Sequence, residues 1–142
     1  MSTQTFFEHF NAEATAAILK ATEYARKYKH SHISPEHLLL GILESAGEET
    51  QKVIRRGRAT SQQMIELVKH HLRIGEMEIP DGELNFSERC KRVIESARQE
   101  CARTQAEKVE PKHILFGLSK VPNTVAAAVL GAVDLKGDEL FQ

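Results

Sequence analysis

The sequence predicts an all-α protein built from one helical unit written twice, and three observations carry that prediction. Apolar residues recur at helical spacing along most of the chain, and no stretch alternates convincingly at the two-residue period of a half-buried strand. Displacing the sequence by 76 positions also brings it into register with itself, setting Phe10 on Phe86, Ile18 on Ile94, Ala21 on Ala97, Pro35 on Pro111, His37 on His113, Leu39 on Leu115, Gly41 on Gly117 and Val53 on Val129. These identities fall on apolar and punctuating positions. Similar residues lie between them, among them Asn11 with Ser87, Ala25 with Cys101 and Ile33 with Val109. So long a period is no solenoid array, and a pseudo-twofold pair sharing one compact domain over residues 1–142 is expected. Repeat 1 covers about 6–72, an acidic linker 73–85, and repeat 2 about 86–141, with seven or eight short helices in all.

Each unit opens on a polar cap. Asn11 can accept from the free amides of the following turn, after which Ala14, Ala17, Ile18, Ala21, Ala25 and Tyr28 mark one face of a long helix. Ser87 opens the second copy, followed by Cys90, Val93, Ile94, Ala97, Cys101 and Thr104. Ser34-Pro35-Glu36-His37 then reads as a cap with proline at the first helical position, where its missing amide costs nothing, and Glu110-Pro111-Lys112-His113 repeats the device. Short apolar helices follow over 38–43 and 114–118, and third helices around Val53 and Val129. Thr60 opens a fourth helix through Met64, Leu67, Val68 and Leu72, with Gln63 at capping-box spacing. Its counterpart in repeat 2 has only the residues after Asp134 and reaches about two turns at most. Gly75, Pro80 and Gly82 among Glu76, Glu78, Asp81 and Glu83 make the linker turn-rich and acidic.

Composition excludes several function classes. Nineteen Lys and Arg against 20 Asp and Glu leave a net charge of −1, without the field that draws in nucleic acid or an anionic membrane. No apolar run approaches the roughly 18–20 residues of a membrane span, and the N-terminus has no signal-type apolar stretch, so a soluble, cytoplasmic protein is expected. There is no Gly-x-x-x-x-Gly-Lys-Ser/Thr phosphate loop, no Gly-x-Ser-x-Gly elbow and no carboxylate pair at a recognisable catalytic spacing; neither enzyme activity nor a cofactor is expected.

Cys90 and Cys101 share a helix face but stand about 16 Å apart along its axis, far beyond the roughly 7 Å between α-carbons that a disulfide spans, and read as small core residues. The seven histidines show no zinc spacing, and no metal is expected; His30, His70 and His71 read as helix C-terminal imidazoles. His37 and His113 occupy the same slot after proline, which points to packing or local hydrogen bonding. Arg55, Arg56 and Arg58 read as a solvated helix end. The helix N-termini after Asn11 and Ser34 offer anion-binding amides, and Glu36 in the first turn after Ser34 could receive a guanidinium.

The stretch His30-Ser31-His32-Ile33-Ser34-Pro35-Glu36-His37-Leu38-Leu39-Leu40-Gly41-Ile42-Leu43, after a phenylalanine, a polar cap and an alanine-rich helix, resembles the Clp repeat of Clp/Hsp100 ATPase N-terminal domains, nearest to ClpC-like or ClpA-like members. Val109-Glu110-Pro111-Lys112-His113-Ile114-Leu115-Phe116-Gly117-Leu118 matches more loosely. The resemblance implies two pseudo-twofold-related four-helix Clp repeats packed as one domain. It implies a non-enzymatic docking module, monomeric in isolation, whose partners are a Clp ATPase ring, its adaptor proteins and substrate proteins. The ATPase modules of full-length relatives are missing here, so the chain is either an excised N-terminal domain or a free-standing Clp-repeat protein; an end at Leu140-Phe141-Gln142, in what should be the last helix, favours the second.

In ClpC-like members each repeat carries a phosphoarginine pocket, made by the hydroxyl residue capping the first helix and the Glu of the Glu-His pair, and here an asparagine stands at the first of these caps. Matched by position, the first pocket falls on Asn11 and Glu36 and the second on Ser87 and Lys112, where the carboxylate has become a cation. The resemblance thus carries an alternative function, a receptor for modified arginine acting by sequestration through repeat 1, with the repeat 2 site degraded.

Overall fold

The computed structural model describes residues 3–77 and 84–135. Among them lie eight helices and no strand: α1 (Thr3–Phe7), α2 (Ala12–Lys27), α3 (Pro35–Ser45), α4 (Glu48–Ile54), α5 (Ser61–His71), α6 (Glu88–Arg103), α7 (Pro111–Lys120) and α8 (Val125–Ala132). The bounds of α2 and α6 differ by the sequence period at both ends, as do the prolines that open α3 and α7. Positions 78–83 of the expected linker, and 136–142, where the last helix of repeat 2 is expected, lie outside the described residues.

The caps act as the spacing predicts. Asn11 Oδ1 accepts from Ala14 N at 2.8 Å, and Ser87 Oγ accepts from Cys90 N at 3.2 Å. Thr60 and Gln63 close a reciprocal box, with Gln63 N donating to Thr60 Oγ1 at 3.1 Å and Thr60 N to Gln63 Oε1 at 2.9 Å. Both long helices also stop identically. Lys29 (φ 56°) and Gln105 (φ 59°) turn left-handed, and the next residues close the turn through His30 N to Ala25 O at 2.8 Å and Ala106 N to Cys101 O at 3.0 Å.

Within each repeat the long helix packs tightly on the short apolar one. Ala14, Ala17, Ala21 and Ala25 of α2 are fully buried, as are Leu38, Leu39 and Leu40 of α3. The closest approach is through glycine: a Cβ on Gly41 would overlap the Ala17 carbonyl oxygen, and one on Gly117 would come within 2.5 Å of the Val93 carbonyl oxygen. The expected core cysteines are buried thiols, Cys90 one turn before Val93 on α6 and Cys101 donating toward Ala106 O at 3.4 Å.

Two isolated parallel bridges join the repeats, Phe10 to Val109 and Ile33 to Phe86. Asn11 N donates to Val109 O at 2.9 Å and Val109 N to His9 O at 2.8 Å. Ile33 N donates to Asn85 O at 2.8 Å and Ser87 N to Ile33 O at 3.0 Å. α1, too short to show a period in the sequence, is held from above: Phe6 stacks on Phe10 at 4.7 Å and meets Phe86 at 5.5 Å, while the Arg98 guanidinium lies 5.8 and 5.9 Å from the Phe6 and Phe10 rings. The expected basic knot is partly engaged, since Arg58 Nε pairs with Asp134 at 2.6 Å and Arg58 N donates to Val133 O at 2.7 Å, closing the α4–α5 loop onto the end of α8.

No single helix among the described residues is long and apolar enough to cross a membrane; α7 and α8 together reach that length, but they are bent by 100°.

Because the atoms facing Gly41 and Gly117 are backbone, neither seam can yield to a methyl group. Gly41→Ala and Gly117→Ala should each cost about 3 kcal/mol, read as a lower urea midpoint at unchanged slope. Midpoints within experimental error of the parent would contradict the backbone contact.

Candidate functional site

The bridges decide which residues of the candidate site meet. Ser87 follows Phe86, whose bridge to Ile33 sets it beside Ser34 and the first turn of α3, and Asn11 follows Phe10, whose bridge to Val109 sets it beside the first turn of α7. The pairing expected from the resemblance lies within each repeat, Asn11 with Glu36 and Ser87 with Lys112; the backbone ties lay Ser87 beside the turn that carries Glu36 and Asn11 beside the turn that carries Lys112.

Glu36 is half-buried where three helices meet. Its Oε1 accepts from Val125 N, the first amide of α8, at 3.3 Å. Its charge also reaches the first turn of α6: burial foremost, and Glu36 in addition, push the Cys90 thiol up, one turn from the Ser87 cap. No cation pairs with Glu36 among the described residues. The other crossing is built differently. Lys112 stands in the first turn of α7, and Glu13, behind Asn11, accepts from Gly47 N at 3.1 Å and from the Thr50 hydroxyl, capping α4. At the matching position in repeat 2 Arg89 donates to Asn123 O at 2.8 Å.

His37 and His113 fix the two helix starts. Their Nδ1 atoms accept from Ser34 N and Glu110 N, each at 2.9 Å, so in both rings Nε2 carries the proton. His113 Nε2 donates to Thr104 Oγ1 at 3.3 Å. His37 Nε2 donates to His30 Nδ1 at 2.8 Å, and His30 Nε2 donates to the Arg73 carbonyl. His30 is thus the middle of a relay of neutral rings, a role its place after the α2 C-terminus does not reveal. Burial, and secondarily His30, lower His37 to about 4 against the partial opposition of Glu36; burial also lowers His113. No group of three or more His, Cys, Asp or Glu side chains able to hold a metal ion occurs among the described residues.

A groove of about 640 Å³ opens beside this junction, with Glu36 and Val125 lining it together with Leu72 and Met77 beyond α5.

Residues 9–133 match the model of the Clp repeat (R) N-terminal domain. The chain belongs to that family. Among curated Clp relatives, the ATP-dependent Clp protease ATP-binding subunit ClpC of Staphylococcus saprophyticus is 31% identical and that of Staphylococcus aureus 32% identical, each over 129 residues. The match takes in 91% of this chain and 16% of each relative, so the Clp-repeat domain spans about a sixth of their length. Solved domains share the fold. The N-terminal domain of ClpD from Arabidopsis thaliana superposes with TM-score 0.71 at 24% identity, covering 95% of this chain and 93% of that one. The Hsp104 N-terminal domain from Candida albicans gives 0.73 at 21%, covering 93% and 85%, and the ClpV N-domain from Vibrio cholerae gives 0.73 at 12%, covering 95% and 83%. The all-α double Clp repeat expected from the sequence is the fold observed.

His37 sets a pH dependence for the domain. Its folded pKa lies below the ordinary imidazole value, so as pH falls the unfolded chain binds the proton first. The stabilisation is complete above about pH 6.5 and drains away toward pH 4, a loss of about 3 kcal/mol. Glutamine suits the same capping slot without titrating. Urea unfolding at pH 7 and pH 4.5 should therefore show a smaller acid loss in His37→Gln than in the parent, and parallel losses would contradict the buried neutral ring.

Proposed function

We propose that this Clp-repeat domain is a non-enzymatic, cytoplasmic docking module that holds adaptors or substrate proteins for a Clp ATPase, and that its working contact is Glu36 taking the guanidinium of a phosphorylated arginine. One observation carries the reading: a half-buried carboxylate, with no cation paired to it among the described residues, stands between the N-termini of α6 and α8. Helix amides there suit a phosphate and the carboxylate suits a guanidinium, so the two ends of phosphoarginine are matched separately. The ClpC relatives are ATP-binding subunits of an ATP-dependent protease, which supports an ATPase as the recipient of what the domain holds.

The crossing of Asn11 with Lys112 does not serve the same ligand. At about 4 Å and an effective dielectric of about 20, a guanidinium gains about 4 kcal/mol from a carboxylate and loses a similar amount to an ammonium, before solvent screening. The two sites have therefore diverged, and one phosphoarginine per chain is expected.

Calorimetric titration with phosphoarginine should give one site in the parent, none in Glu36→Ala, and two in Lys112→Glu. No heat at millimolar ligand, or binding unaltered in Glu36→Ala, contradicts the assignment. The docking role is tested with the chain as bait in lysate of its source cell: a Clp ATPase or its adaptors should be retained, and recovery of neither counts against it.

A further inference from the structure

Residues 72–77 form a strap whose backbone is tied down while its largest side chains are not. Gly75 N donates to Tyr28 O at 2.7 Å and Met77 N to Lys29 O at 3.1 Å, and a Cβ on Gly75 would overlap the Lys29 carbonyl oxygen. Arg73 O receives the last hydrogen bond of the relay that starts at Ser34 N and passes through His37 and His30. Yet Ile74 is 75% and Met77 65% exposed, the two most exposed large apolar side chains among the described residues. A single exposed apolar residue needs no explanation, but two on a pinned strap beside a groove do.

The groove runs between the strap and Glu36, and at about 640 Å³ it falls in the range that holds drug-sized ligands, more than one guanidinium fills. Its chemistry is split. At the α3 end lies the Glu36 carboxylate, with no cation paired to it among the described residues, and along the strap lie Leu72 and Met77, with Lys29, Arg73 and Glu76 also in the lining. We propose that the groove reads two features of one extended polypeptide segment: a phosphorylated arginine whose guanidinium meets Glu36, and an apolar side chain a few residues away laid on Met77 at the groove's edge and on Ile74 next to it on the strap. His30 is then a positioning residue, which holds the strap at a fixed distance from the α3 N-terminus through His37 and the Arg73 carbonyl. This rests on Glu36 taking a guanidinium and adds which sequence surrounds it. Charge complementarity selects the group at Glu36 itself, since a carboxylate placed there would be repelled while a guanidinium is attracted, and a segment lacking an apolar residue would leave the strap uncovered.

The test compares free phosphoarginine with fluorescein-labelled decapeptides carrying one phosphoarginine among glycine and serine, with or without a leucine two to four residues away on either side. By anisotropy, one leucine placement should tighten binding about tenfold, as expected for burying much of one aliphatic side chain. That advantage should vanish in the double variant Ile74→Ser, Met77→Ser, while the affinity of free phosphoarginine stays the same; in His30→Ala the peptide should lose a larger factor of affinity than free phosphoarginine does. A merely structural role for His30 would weaken both ligands by the same factor. Thermal melts check that the variants remain folded. Free phosphoarginine binding with no gain from leucine at any placement, or a gain that survives in the serine variant, overturns the strap reading and leaves Glu36 standing. Failure of free phosphoarginine to bind the parent overturns both.

Discussion

Phe10 pairs with Val109 and Ile33 with Phe86, and each pairing ties together segments that belong to different repeats. Phe10, Ile33 and Val109 are buried at 3%, 0% and 2% exposure, so separating the bridges would strand backbone donors and acceptors away from water. The duplication alone does not impose this exchange. Two units could have been joined as separate bundles, each keeping its cap beside its own second helix. Here the caps are traded: Ser87 lies beside the start of α3, which carries Glu36, and Asn11 beside the start of α7, which carries Lys112.

The trade also explains why the sites could diverge without disturbing the fold. Backbone groups supply the bridges, alanine and glycine supply the seams, and a histidine ring supplies each cap beneath α3 and α7. None of these depends on the charge at position 36 or 112. Glu36 remains between helix amino ends, whereas Lys112 replaces it in the copy, and around them the anchoring contacts differ as well. Glu13 caps α4 where Arg89 reaches a carbonyl before α8, and His30 receives from His37 where Thr104 receives from His113.

Much of the fold was legible because its signals are local. The boxes at Thr60 and Gln63, the prolines at 35 and 111 and the self-register at 76 positions each place an element from a few neighbouring residues. What escaped depends on distant partners. A one-residue bridge has no period, so the exchange of caps left no pattern in the sequence, and matching positions within each repeat could not show which helix start each cap lies beside. The relay joins His30 to a ring seven residues away and to a carbonyl 43 residues away. α1 lacks the length to show a helical stripe and owes its place to Phe6, Phe10 and Arg98. The clue available in advance was the identity of His37 and His113, which marked a shared hydrogen-bonding role, though not its partners.

Residue-resolved amide shifts on adding phosphoarginine test the exchange of caps most directly. Shifts confined to Glu36, His37 and the first turn of α6 after Ser87, with Asn11 to Ala14 silent, are what the crossed arrangement predicts. Shifts at Asn11 to Ala14 together with Glu36, and none after Ser87, would show that each repeat binds through its own cap and would contradict it.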